Sequence, residues 1–136
     1  MSTQSASIDV AAVTQAAYAA LSKGDAAQAR DLLDRVVAAQ RADASVWLAL
    51  AHARGMLGDN AGQGAAIDRA LSLEPNDLRA LLAKGDYMSA AGDARGASAF
   101  YAAALQYMPR YKSLPAHLQE GLKRAQAANQ NLVREL

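Results

Sequence analysis

The residues that could do chemistry in this chain are few, and their spacing argues against catalysis. There are two histidines and no cysteine. His52-Ala53-Arg54 and His117-Leu118-Gln119 lack the His-x-Asp/Glu spacing of a facial iron triad, and no His-Glu-x-x-His pair exists to hold zinc. Without cysteine there is neither a disulfide framework nor a thiolate metal site. No glycine-rich loop ends in Gly-Lys-Ser/Thr to cradle a phosphate. Asp31, Asp34, Asp59 and Asp68 fall on turns or outward helix faces, where helix capping and solubility account for them. The sequence therefore offers no catalytic residue, no metal ligand set and no cofactor-binding residue, and predicts a chain that is not an enzyme.

The elements that position these residues are set by a repeat. Gly24-Asp25, Gly58-Asp59 and Gly92-Asp93 recur at a spacing of 34 residues, and Ala70 with Ala104, and Pro75 with Pro109, keep the same register. A glycine just past a helix accepts the left-handed backbone that ends it. The aspartate that follows offers a carboxylate to the free amides opening the next helix and suits the positive end of its dipole. With Val10, Ala44 and Leu78 as first residues, position 8 is Ala17, Ala51 and Gly85, and position 20 is Ala29, Gln63 and Ala97. Small side chains there let two antiparallel helices approach closely. Gln63 breaks that rule, and Gly62 and Gly64 lie inside the same helix, where glycine costs about 1 kcal/mol against alanine. That makes 60–74 the expected weakest element.

This turn chemistry at this period resembles the tetratricopeptide repeat. The resemblance covers about residues 9–111 and implies an all-α fold, an α-α superhelix of three helical hairpins (10–43, 44–77 and 78–111) followed by a capping or linker helix over 112–136. Residues 1–8 are expected to be disordered. Helices are predicted near 9–23, 26–40, 44–57, 60–74, 77–91, 94–108 and 115–135. The family's aromatic at position 4 appears once, as Trp47, with Val13 and Leu81 in its place elsewhere. Its closing proline is Arg41 in the first repeat.

The resemblance also implies a partner: a protein or peptide ligand on the concave surface lined by positions 2, 5, 6, 9 and 13 of the first helices. Those positions are Ala11, Thr14, Gln15, Tyr18 and Ser22, then Ser45, Leu48, Ala49, His52 and Met56, then Arg79, Leu82, Ala83, Asp86 and Ala90. The groove candidates are Thr14, Tyr18, Leu48, His52, Met56, Arg79, Leu82 and Asp86. Tyr18, His52 and Asp86 are equivalent residues and form either a polar line across the groove or an ordinary hydrated surface. Leu48 and Leu82, one turn earlier, form either an exposed apolar line or part of the packing between repeats; exposure is the expectation. The two-carboxylate clamp of chaperone-tail binders needs basic and amide side chains where this chain has Thr14, Tyr18, Ala49, Arg79 and Ala83. Only Arg79 keeps the charge, which argues against a co-chaperone of that kind.

After the third repeat, Ser113 can cap a helix with Pro115 in its first turn. Leu118, Leu122 and Ala125 continue at helical spacing, and Leu132, Val133 and Leu136 extend the stripe. The tail LPAHLQEGLKRAQAANQNLVREL, behind three alanine-rich repeats, resembles the amino-terminal region of bacterial aspartyl/asparaginyl β-hydroxylase-like proteins. That resemblance implies a recognition and linker region for an iron- and 2-oxoglutarate-dependent catalytic domain in the same parent chain. None of that family's metal or cofactor residues has a counterpart here.

Composition limits the partners further. The net charge is +1 with 52% apolar residues, and lysines and arginines are spread singly, which argues against nucleic acid. No run approaches the roughly 18 apolar residues of a membrane span, and MSTQSASID has no basic segment followed by an apolar one. A cytoplasmic, helical interaction module of one domain is the expectation.

Overall fold

An aspartate opens each helix of the repeated region. In the computed structural model, which describes residues 9–106 and 114–134, Asp9, Asp25, Asp43, Asp77 and Asp93 are N-caps whose carboxylates accept from backbone amides two or three residues on. Asp59 accepts from Gly62 N at 2.9 Å in the same way. Each such cap contributes about 1 kcal/mol. The helices they start are α1 (Val10–Ser22), α2 (Ala26–Ala38), α3 (Ala44–Met56), α4 (Asn60–Leu73), α5 (Leu78–Ala90) and α6 (Ala94–Leu105), followed by α7 (Ala116–Arg134). These lie close to the expected spans, and no strand occurs among the described residues. The expected disorder of 1–8, Pro109, the boundary at 111–112, the Ser113 cap and the side chains of Leu132, Val133 and Leu136 lie outside the described residues.

Within each hairpin one turn design recurs. Gly24, Gly58 and Gly92 have φ of 80°, 80° and 88°, and a Cβ there would meet nothing within 4 Å, so glycine is required by backbone conformation and not by crowding. The next amide closes the ending helix: Asp25 N donates to Ala20 O, Asp59 N to Arg54 O and Asp93 N to Met88 O, each at 2.9 Å. The end of α2 uses the same geometry without glycine. Gln40 has φ 59°, and Arg41 N reaches back to Val36 O at 3.2 Å.

The helices gather into two compact units, α1–α4 and α5–α7. In the first, Ala17, Leu33, Val36, Val46, Ala49 and Leu50 form the core, with Trp47 packed against it. The Arg69 guanidinium lies 5.4 Å over the Trp47 ring. Arg54 on α3 donates to Gly62 O at 3.0 Å and faces Asp34 at 3.7 Å, so one half-buried cation joins α2, α3 and α4. In the second unit Leu81, Leu82, Tyr101, Ala104, Leu122 and Ala125 are buried.

Two hairpins show paired changes of size. Position 24 is filled by buried Leu33, Ile67 and Tyr101. Where it is tyrosine, the facing position 8 is glycine, and a Cβ on Gly85 would fall 2.5 Å from the Tyr101 ring. In the second hairpin the oversized Gln63 is accommodated by Gly55, whose added Cβ would sit 2.7 Å from Gln63 Nε2. The three residues that mark α4 as weak in sequence thus have packing counterparts: Gly62 passes the Arg54 stem, Gly64 is buried, and Gln63 fills the space over Gly55.

A left-handed backbone costs a non-glycine residue about 1 kcal/mol or more. Gln40→Gly is therefore expected to stabilise the protein by about 1 kcal/mol, read as a higher urea midpoint at an unchanged slope. A lower midpoint would show that the Gln40 side chain contributes more than its backbone strain removes.

Candidate functional site

The predicted groove residues divide according to whether something already holds them. On α1 and α3 the face is open. Tyr18 is 41% exposed and Met56 47% exposed, His52 is exposed, and Leu48 and Thr14 are half-buried. Leu48 therefore falls short of the substantial exposure expected of it. Thr14 Oγ1 is buried with no hydrogen-bond partner among the described residues.

On α5 the same repeat positions are committed. Arg79 folds back on the N-cap of its own helix, with Nη2 2.8 Å from Asp77 Oδ2 and Nε 3.3 Å from Oδ1. Asp77 also accepts from Arg79 N at 2.8 Å. Burial pushes the Asp77 carboxyl up, yet the Arg79 guanidinium and the hydrogen bonds around it outweigh that and hold it below the usual carboxylate range.

Leu82, expected in an exposed apolar line, is only 4% exposed. The reason is α7: a Cβ on Gly121 would lie 2.9 Å from Leu82 Cδ1, so the backbone of α7 passes directly over that side chain. Asp86, expected on a polar line with Tyr18 and His52, is held instead by two donors. Tyr101 OH donates to its Oδ1 at 2.6 Å and Arg124 Nη2 to its Oδ2 at 2.9 Å. Burial and then the adjacent Asp86 carboxylate push the Tyr101 phenol well above its ordinary value. The same carboxylate, through its hydrogen bond, raises Arg124.

Gly121, Arg124 and Tyr101 were not singled out in sequence as partners of the α5 face. One signal was present, the exchange of Leu33 and Ile67 for Tyr101 together with Ala17 and Ala51 for Gly85. Another was the second 34-residue register of Asp9, Asp43 and Asp77, which marks helix starts and places the Asp77 carboxylate beside Arg79. Among the described residues no group of three or more His, Cys, Asp or Glu is placed to hold a metal ion. None of the described helices is long and apolar enough to cross a membrane.

No protein-family model matches the chain, and no curated protein does. Solved structures do match. The Sgt2 TPR domain from Aspergillus fumigatus superposes with a TM-score of 0.75 at 16% identity, covering 94% of this chain and 83% of that one. The fold is that of tetratricopeptide domains. The Yersinia enterocolitica type III secretion chaperone SycD, solved with a peptide of the translocator YopD, gives a TM-score of 0.69 at 14% identity over 85% of this chain and 90% of its own. MamA gives 0.68 at 16% identity over 93% and 81%. These superpositions establish the all-helical tetratricopeptide fold, and at 14–16% identity they carry the fold alone.

The raised Tyr101 phenol has a consequence for stability. Its folded value lies above that of the unfolded chain, so the stabilisation is complete below about pH 10, the value of free tyrosine, and is lost as pH rises through the folded value. Tyr101→Phe is expected to be less stable at pH 7, through loss of the bond to Asp86, and to show a shallower alkaline decline. Urea midpoints followed from neutral to alkaline pH check this, and equal slopes for the two proteins would refute it.

Proposed function

We propose that this chain is a non-catalytic protein-protein interaction scaffold that binds a polypeptide across the first-helix face, the face that is concave in tetratricopeptide stacks. In this reading the repeats run 10–43, 44–77 and 78–111, with 112–136 as the cap, and the scaffold works in the cytoplasm. The observation that carries it is the open face of α1 and α3, where Tyr18, His52 and Met56 stand exposed beside half-buried Leu48. Their side chains make no hydrogen bond or ion pair with another described residue.

The chemistry of that face selects a class of ligand. Ala11, Thr14, Gln15, Tyr18, Ser22, Ser45, Leu48, Ala49, His52 and Met56 include no Asp, Glu, Lys or Arg. An acidic tail would find no cation there, whereas a neutral peptide with one or two aliphatic or aromatic anchors would bury them against Tyr18, Leu48 and Met56. Methionine suits such a surface because its flexible thioether adapts to different anchors. SycD, a structure of the same fold, was solved in complex with a peptide of YopD, which supports polypeptide binding as a use of this fold.

The finer resemblance, to the recognition and linker region of a β-hydroxylase-like oxygenase, is a second reading. It is favoured by α7, a single helix of 19 residues led by Leu114-Pro115. A parent reading frame that continues past Leu136 into a domain with paired iron-binding histidines would support it, and a frame ending in unrelated sequence would remove it.

Peptide display against the immobilised chain tests the first reading. Enriched peptides are expected to be uncharged with apolar anchors, and Tyr18→Ala combined with Met56→Ser should weaken their capture at least tenfold with an unchanged melting temperature. Enrichment of acidic peptides, or capture indifferent to those substitutions, would overturn it. Leu82→Ser should behave oppositely and lower the melting temperature, since emptying a buried leucine site costs about 2–5 kcal/mol.

A further inference from the structure

On the open face of α1 and α3 one residue differs in kind from the rest. That face holds no Asp, Glu, Lys or Arg and a single histidine, His52. Histidine is the side chain whose ordinary charge change falls between pH 5 and 8, whereas the phenol, hydroxyl, amide and thioether groups around it keep one form across that range. The charge of the whole face is therefore set by one imidazole.

The fold leaves that imidazole available to a ligand. His52 follows Ala51, which is 3% exposed, and is itself exposed. Tyr18 follows Ala17 in the same way on α1, and Ala17 lies in one core cluster with Ala49 and Leu50, which holds α1 against α3. His52 makes no hydrogen bond, ion pair or ring contact with another described residue. Of the elements packed against α3, α1 brings only Tyr18 as an ionisable group. On α2, Arg30 pairs with Asp31 at 3.1 Å and Asp34 faces Arg54 of α3 at 3.7 Å, while Arg69 of α4 lies over Trp47. Arg35 of α2 and Asp68 of α4 complete the set, and neither bonds to His52. A charge formed on His52 thus meets no carboxylate among the described residues and is offered to whatever lies on the face.

We propose, resting on the reading of this face as a peptide site, that His52 sets the charge class of the peptides it takes. With the imidazole neutral, the face selects uncharged peptides. With the imidazole protonated, the face gains its one cation and also selects peptides that carry Asp or Glu beside the apolar anchor. Tyr18, Leu48 and Met56 supply the anchor contact in both forms, so pH changes which peptides are preferred and not whether peptides are held. A partly exposed ion pair contributes modestly, which sets the change of preference at about three- to fivefold.

Selection of a random peptide library on the immobilised full chain at pH 7.5 and at pH 5.5 tests this, because peptide carboxylates titrate near about pH 4 and stay ionised at both. Peptides enriched at pH 7.5 are expected to be uncharged, and those enriched at pH 5.5 to carry at least three times as many Asp and Glu. Fluorescence polarisation with one enriched acidic peptide and its Glu-to-Gln counterpart should show the ratio of the two affinities rising at least threefold on acidification. His52→Gln should abolish that rise, and His52→Lys should show the acidic preference already at pH 7.5. His117→Gln, which alters the other histidine of the chain, should leave the rise intact. A rise that persists in His52→Gln, or no rise in the parent chain, overturns the role of His52 while peptide binding stands. No enrichment at either pH overturns the binding face and the role of His52 together.

Discussion

Everything in this protein hangs on what one aspartate does at each hairpin turn. Its amide closes the helix behind it and its carboxylate caps the helix ahead, while the glycine before it takes the left-handed backbone that reverses the chain. Two helices joined by three residues, of which one is bonded to both, have little freedom in how they face each other. Positions 8 and 24 are brought into register by that constraint, and position 20 is pressed close enough that side-chain volume there matters. The paired sizes of Gly85 with Tyr101 and of Gly55 with Gln63 follow from it.

The first-helix face divides by chemistry along the chain. On α1 and α3 it is uncharged and partly apolar, with Tyr18 and Met56 exposed. On α5 it carries Arg79 and Asp86, and both charges are satisfied within their own unit, one by a helix cap and the other by a phenol and a guanidinium. The charges of α5 on this face are thus engaged within their own unit, and the exposed part of α1 and α3 carries none.

Much of the fold was legible from local rules. The Gly-Asp period gave the hairpins, and helix limits followed from turn chemistry that acts over a few residues. The register of Asp9, Asp43 and Asp77 obeys the same rules and stood in plain sight just before each repeat. The site was harder to read because exposure is not a local property. Leu48 and Leu82 occupy equivalent positions, yet Leu82 is buried by α7, whose register belongs to no repeat and whose contact depends on Gly121. Gln63 looked like a defect only because its compensation, Gly55, sits on the neighbouring helix and at a position the repeat does not specify.

That compensation bears on how such a chain can change over generations. Gly85 tolerates Tyr101 only because both lie in one hairpin, and the same holds for Gly55 with Gln63. A crossover that exchanged α5 for α3 while keeping α6 would set an alanine against the tyrosine ring, and one that moved α4 alone would leave Gln63 without its recess. A breakpoint inside a hairpin would separate these matched pairs, whereas one between hairpins would keep them together. The unit that can be moved intact is the helix pair with its matched volumes, in which a change of size at one position is answered on the facing helix.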